Sequence, residues 1–81
     1  MANKPVPGNP VQVALGKLFA DVRTSKGVGL RKMAAALEVS VNTVRWHEAG
    51  HRSLRADLIV RAARVIRVTP GRLINIPDDI Q

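Results

Sequence analysis

The side chains best suited to chemistry lie in the middle of the chain, between residues 30 and 55. Asn42 and Arg45 stand three positions apart, which places them on one side of a helix. Arginine can form two hydrogen bonds to guanine and asparagine two to adenine, so this pair suits the reading of DNA bases. Each residue also has a second interpretation, with Asn42 as a local cap and Arg45 as a phosphate contact.

The histidine and acidic residues do not form a catalytic or metal-binding pattern. His47 and His51 are four positions apart, but Gly50 interrupts the helix between them and Glu48 is the only acid nearby. A zinc site would need a third ligand and supporting hydrogen bonds, and the chain has no cysteine. We therefore predict no enzyme activity, no cofactor and no metal site. His47 is interpreted as a partly buried, hydrogen-bonded side chain.

The charge of the chain indicates the class of partner. Among 81 residues, 13 are Lys or Arg and 6 are Asp or Glu, which gives a formal net charge of +7. Such an excess favours a polyanion, the alternative being a merely soluble basic surface. The only aromatic residues are Phe19 and Trp46. Because proteins that bind single strands stack bases on aromatic rings, this composition favours duplex DNA.

The chain shows no segment for a membrane or for export. No apolar run approaches the roughly 20 residues of a membrane span, and residues 1–5 do not resemble a secretory signal. We expect no membrane partner and a cytoplasmic protein associated with the bacterial nucleoid. Proline, glycine and asparagine are concentrated in residues 1–9, predicted as a flexible N-terminal arm. One domain follows over residues 10–77, and residues 78–81 form a C-terminal tail.

Apolar residues recur at helical spacing through the predicted domain. Asn9 and Pro10 form a typical helix start, and Gly27 marks the end of that helix. Ser40 is a second cap, and Thr69 with Pro70 predicts a short final helix. We predict an all-α, compact five-helix domain without strands, with helices over residues 10 to 25–27, 30–37, 40–49, 55–67 and 71–74.

The second and third predicted helices are separated by a three-residue turn, Glu38-Val39-Ser40. This is the spacing of a DNA-binding helix-turn-helix, whose second helix enters the major groove. The two helices must cross closely, which explains the small Ala34 and the apolar Leu37 and Val44.

The segment Met33-Ala34-Ala35-Ala36-Leu37-Glu38-Val39-Ser40-Val41-Asn42-Thr43-Val44-Arg45-Trp46-His47-Glu48-Ala49-Gly50 resembles the Cro/phage-repressor type helix-turn-helix, often called the XRE family. The resemblance extends over about residues 11–76 and implies a lambda-repressor-like fold. Three positions depart from the family pattern. Glu38 replaces the turn glycine, Leu30 replaces a polar residue that holds a phosphate, and the tryptophan falls one position early, at Trp46.

The residues of the predicted DNA contact form two sets. Side chains at the start and outer face of the third helix are predicted to read bases, with packing at the rim as the alternative for the tryptophan: Ser40, Val41, Asn42, Arg45 and Trp46. Side chains that flank the motif are predicted to bind phosphates: Arg31, Lys32, Thr43, His51, Arg52 and Arg55.

The resemblance implies a sequence-specific transcription regulator, and a short chain without a sensor domain favours a repressor with no small-molecule effector. One motif reads few base pairs, so a homodimer on a palindromic operator is expected. Leu73, Ile74 and Ile76 are candidates for the dimer contact, or they close the core of the monomer. The alternative function is an antitoxin-like protein that binds a partner protein and represses its own operon. A DNA-bending architectural protein is a third hypothesis, and a plasmid or phage is the expected source.

Overall fold

The computed structural model describes residues 8–80, and every regular element in that range is helical. The elements are α1 (Pro10–Ser25), α2 (Leu30–Leu37), α3 (Val41–Glu48), α4 (Ala56–Ile66) and a 3-10 turn (Pro70–Leu73). The all-α prediction is confirmed. The fifth predicted helix is a single 3-10 turn, so the described residues contain four α-helices. The predicted N-terminal arm lies outside the described residues except for Gly8 and Asn9.

The helix ends follow the sequence signals closely. The Asn9 side chain accepts a hydrogen bond from the Gln12 backbone at 2.8 Å, and Ser40 accepts one from the Thr43 backbone at 3.1 Å. Gly50, directly after α3, has a φ of 82°, a left-handed conformation that favours glycine. Thr69 precedes the 3-10 turn without a side-chain capping bond, although its position in the sequence matches that of a cap.

The turn between α2 and α3 has a backbone conformation that is unfavourable for its residue type, at the position where Glu38 replaces the family's turn glycine. Glu38 has a φ of 58° and a ψ of 43°, in the left-handed region. Its backbone N–H donates to Ala35 at 3.2 Å, and that of Val39 donates to Ala34 at 3.0 Å, which ends α2. The carboxylate lies 3.5 Å from the Arg61 guanidinium on α4. A left-handed residue other than glycine costs about 1–2 kcal/mol, which the surrounding packing must offset.

A single core holds the helices together. Its largest fully buried side chains come from α1, α2, α3 and the 3-10 turn, and they are Phe19, Met33, Leu37, Val44 and Leu73. α2 packs against both α3 and α4, while α1 packs against α3 and the 3-10 turn. Within residues 8–80, no helix combines the length and the apolar character that a membrane crossing requires.

The crossing of α1 and α3 depends on a glycine, which has no side chain, and on an ion pair. A Cβ on Gly16 would lie 2.3 Å from the His47 carbonyl oxygen and 2.8 Å from that of Glu48. About two turns further along α1, Arg23 Nε and Nη2 donate to the two carboxylate oxygens of Glu48 at 2.5 and 3.1 Å. Arg23 Nη1 also donates to the Val28 carbonyl at 2.7 Å. These contacts fix the C-terminal half of α3 on α1.

Substituting Gly16→Ala should therefore lower the free energy of unfolding by about 1–3 kcal/mol, the usual effect of overpacking. The added methyl group would meet backbone atoms that cannot rotate away. Gly71→Ala is the matched control, since a Cβ there meets no atom within 4 Å. Urea unfolding of both variants measures the difference. Equal stability of the two variants would contradict the close approach at Gly16.

Candidate nucleic-acid interface

The third helix, α3, has one buried face and one exposed face. Val44 and His47 point into the core, with 0% and 5% of their surfaces exposed. Asn42 and Arg45 are exposed on the other side. Ser40 caps the helix, and no side-chain hydrogen bond engages Asn42 within residues 8–80. The amide and the guanidinium therefore face solvent together, and both groups can form hydrogen bonds to base edges in a major groove.

Two other predicted base-reading residues, Val41 and Trp46, are less accessible. Val41 is half-buried and packs against the core. Trp46 is also half-buried, and the guanidinium carbon of Arg52 lies 4.8 Å from the centre of its ring. Part of the surface of each side chain is therefore covered by the protein itself.

Most of the predicted phosphate-binding cations are exposed and available. Within the described part of the chain, Arg31, Lys32 and Arg52 form no salt bridge. Arg55 lies 3.2 Å from Asp57, but both side chains are exposed, so this pair is weak and water can replace it. The helix-turn-helix is consequently flanked by positive charge.

An open cleft lies between α3 and the start of α4. Its polar lining comes from Thr43, His47, Arg52, Ser53 and Arg55. The structure thus brings together three predicted phosphate contacts, Thr43, Arg52 and Arg55, which span 12 positions of the sequence. His51 belongs to the same loop but is half-buried, and its Nδ1 has no hydrogen-bond partner in residues 8–80.

Sequence reasoning missed Gln12, which connects the start of α1 to the loop after α3. Its Nε2 donates to the Gly50 carbonyl at 2.8 Å, and its Oε1 accepts from the Ser53 hydroxyl at 2.5 Å. The backbone N–H of Gly8 donates to the same Gly50 carbonyl at 2.8 Å. Gln12 thereby positions the loop that carries Arg52. Nothing in the local sequence signals this role, because its partners are 38 and 41 residues away.

His47 is a buried side chain with a lowered pKa. Its Nδ1 lies 3.3 Å from the Arg52 carbonyl oxygen, which can only accept, so Nδ1 carries the proton of this bond. Burial lowers the pKa of His47 below its ordinary value of 6.5, the hydrogen bond to Arg52 opposes this shift, and the charges of Arg52 and Arg55 add to it. Within residues 8–80, no three side chains of the types that bind metals are grouped so that they could hold an ion.

The three candidates for the dimer contact separate by burial. Leu73 is 1% exposed and belongs to the core of the monomer, so its side chain cannot reach a partner. Ile74 is 52% exposed. Ile76 is half-buried and lines an open groove beside α1. Of the three candidates, Ile74 and Ile76 are the ones whose side chains have exposed surface.

Comparison with known proteins gives a family match. Residues 14–74 match the sequence model of a protein family that is described as a helix-turn-helix domain. This range includes the motif at residues 33–50. Among curated proteins, no sequence is close enough to count as a relative.

Solved structures of gene regulators share the fold. The clp gene regulator ClgR from Corynebacterium glutamicum is 24% identical with a TM-score of 0.73, over 91% of this chain and 90% of that one. The restriction-modification controller protein C.AhdI from Aeromonas hydrophila is 24% identical with a TM-score of 0.70, over 76% of this chain and 94% of that one. SinR, a master regulator for biofilm formation solved in complex with DNA, is 18% identical with a TM-score of 0.67, over 75% and 98%.

The lowered pKa of His47 predicts a loss of stability in mild acid. The unfolded chain takes up a proton at His47 near pH 6.5, whereas the folded protein resists protonation until a lower pH. The free energy of unfolding should therefore be highest above pH 7 and fall as the pH drops from about 6.5 toward 5. Urea unfolding across this range measures the slope.

His47→Gln should flatten this pH dependence, because the amide can still donate to Arg52 but does not titrate. A slope that survives unchanged in His47→Gln would contradict the assignment.

Proposed function

Because the chain belongs to the helix-turn-helix domain family and has the fold of a DNA-binding transcription regulator, we propose that it represses transcription by binding a specific duplex sequence. The family match confirms the resemblance to Cro/phage-repressor type regulators. In the proposed complex, α3 lies in the major groove.

The exposed pair of Asn42 and Arg45 is the observation that carries the proposal. Both side chains project from the face of α3 opposite to the buried Val44 and His47. Their donors are not used by other residues of the described chain, so they are available for hydrogen bonds to adenine and guanine. The rigid attachment of α3 to α1 supports this role, because base reading requires a fixed position of the helix.

The distribution of charge supports contact with the DNA backbone. Four of the six acidic residues, on α1, α3, α4 and the α2–α3 turn, pair with a cation of the protein: Asp21, Glu38, Glu48 and Asp57. No carboxylate on the exposed face of α3 opposes the flanking cations. Arg31, Lys32 and Arg52 are the proposed phosphate contacts, with Arg55 and Thr43 in the adjoining cleft.

The proposed dimerisation follows from how few base pairs one motif can read, and the proposed repression follows from occupancy of a promoter. A single α3 contacts only a few base pairs, which is too little to specify a genomic site. Two copies on a palindrome, with half-sites about 34 Å apart, double the recognised sequence. Occupying a promoter is sufficient to block polymerase, so repression requires no further activity. SinR, which shares the fold, was solved in complex with DNA, and this supports the proposed partner.

Selection of bound duplexes from a random pool should yield a palindromic sequence that binds about 1000-fold more tightly than a scrambled duplex. Arg45→Ala should then weaken binding about 5- to 150-fold and relax preference at one base pair of each half-site. Arg64→Ala removes the same charge from the exposed side of α4 and is the matched control. It should retain the full sequence preference.

Selection without a consensus, with both duplexes equally weakened by salt, would contradict the regulator and favour an architectural protein. Loss of preference in Arg64→Ala but not in Arg45→Ala would instead mean that α3 does not lie in the groove.

Ile74→Asp should convert the proposed dimer to a monomer, because the charge would be buried in the contact. Analytical ultracentrifugation of the free protein and titration of full and half operator sites measure this. Binding to the full site should weaken by roughly tenfold or more while binding to a half-site is retained. Val60→Asp, at an exposed valine on α4, is the control and should leave the dimer intact. A wild-type protein that binds its site as one copy would contradict the dimer.

A further inference from the structure

Trp46 occupies an unusual place in the motif. The family pattern has its tryptophan directly before the glutamate, but here His47 fills that inward position and Trp46 lies one residue earlier. The indole is therefore half-buried at the edge of α3 rather than in the core. The Arg52 guanidinium covers its ring, with 4.8 Å between the guanidinium carbon and the ring centre. This distance is within the range of a cation–π interaction.

Hydrogen bonds attach the backbone of residues 50–52, between Trp46 and Arg52, to the end of α3. The His51 N–H donates to the Trp46 carbonyl at 2.9 Å, and the Gly50 N–H donates to that of His47 at 3.1 Å. His47 Nδ1 in turn donates to the Arg52 carbonyl at 3.3 Å. The Cα of Arg52 is thus held at the C-terminal end of α3, so the indole ring only has to restrain the rotatable side chain.

Stacking leaves the donors of Arg52 free. A guanidinium presents its flat face to an aromatic ring and its N–H groups in the plane, toward other partners. Arg52 is exposed and takes part in no salt bridge within residues 8–80. It also lines the cleft with Thr43 and Arg55. An arginine that is already ordered loses less side-chain entropy when it binds a phosphate.

We propose that Trp46 is a positioning residue that holds the Arg52 guanidinium ready for a phosphate of the DNA backbone, and that it does not read bases. This inference rests on the proposed function. It assigns Trp46 a role in affinity, while sequence preference remains with Asn42 and Arg45.

The test is a double-mutant cycle on the selected duplex, with salt titrations. Arg52→Ala should weaken binding roughly tenfold and reduce the slope of log K against log salt by about 0.9, the value of one lost phosphate contact. Trp46→Leu should weaken binding about two- to fivefold, the range of an exposed cation–π interaction, with the selected sequence unchanged. The double variant should bind no more weakly than Arg52→Ala alone. Trp46→Phe, which keeps a ring, should restore most of the loss.

Arg55→Ala provides the matched control for this cycle, because Arg55 lies in the same loop and pairs with Asp57 instead of a ring. Its effect should add to that of Trp46→Leu. Additive effects of Trp46→Leu and Arg52→Ala, or a changed base preference in Trp46→Leu, would overturn the positioning role and leave the regulator intact. A wild-type protein that selects no duplex would overturn the proposed function, and this inference with it.

The free protein gives a readout that does not need DNA. Trp46 is the only tryptophan, so its emission reports on the stack alone. Arg52→Ala should shift this emission to longer wavelength as water replaces the guanidinium, whereas Arg55→Ala should not change it. Identical emission of wild type and Arg52→Ala would overturn the stack. Circular dichroism melting of each variant shows that the fold is retained.

Discussion

The contact between α1 and α3 sets the orientation of the outer face of α3, on which the proposed DNA contact depends. Gly16 lets the two backbones meet, and the Arg23–Glu48 ion pair fixes their angle, with only 12% and 13% of the two side chains exposed. Loss of either partner would leave a buried, uncompensated charge, which is strongly destabilising. Because α3 has just eight residues, its outer face is oriented by this contact rather than by its own stability.

The loop after α3 is also held in place by hydrogen bonds to other parts of the fold. Its first carbonyl, that of Gly50, accepts hydrogen bonds from Gly8 and Gln12 at 2.8 Å each. The buried His47 then fixes Arg52 from the other side. In the proposed complex, α3 and this loop would lose little entropy on binding, because these hydrogen bonds already restrain them in the free protein. The acidic side chains assist by pairing within the protein, which leaves the positive charge near the motif unopposed.

Much of the fold could be predicted because its signals are local. The caps at Asn9 and Ser40, the stop at Gly50 and the helical spacing of apolar residues all act within a few positions, and all are confirmed. The turn at Glu38 also has a local signal, because this residue replaces a glycine of the family pattern. Its left-handed backbone is a property of that one position. The last predicted helix was less accurate, because Pro70–Leu73 is too short for an α-helix and forms a 3-10 turn.

Signals along the chain were sufficient to predict the helices, the motif between Leu30 and Gly50, the basic charge and the pair Asn42 and Arg45. The packed fold was needed to show that Leu73 is buried in the monomer, that Trp46 is covered by a guanidinium, and that Gln12 holds the loop. The difference lies in the range of the interactions. Caps and periodicity join near neighbours, whereas the depth of a side chain depends on residues as far as 41 positions away, as for Gln12 and its loop partner.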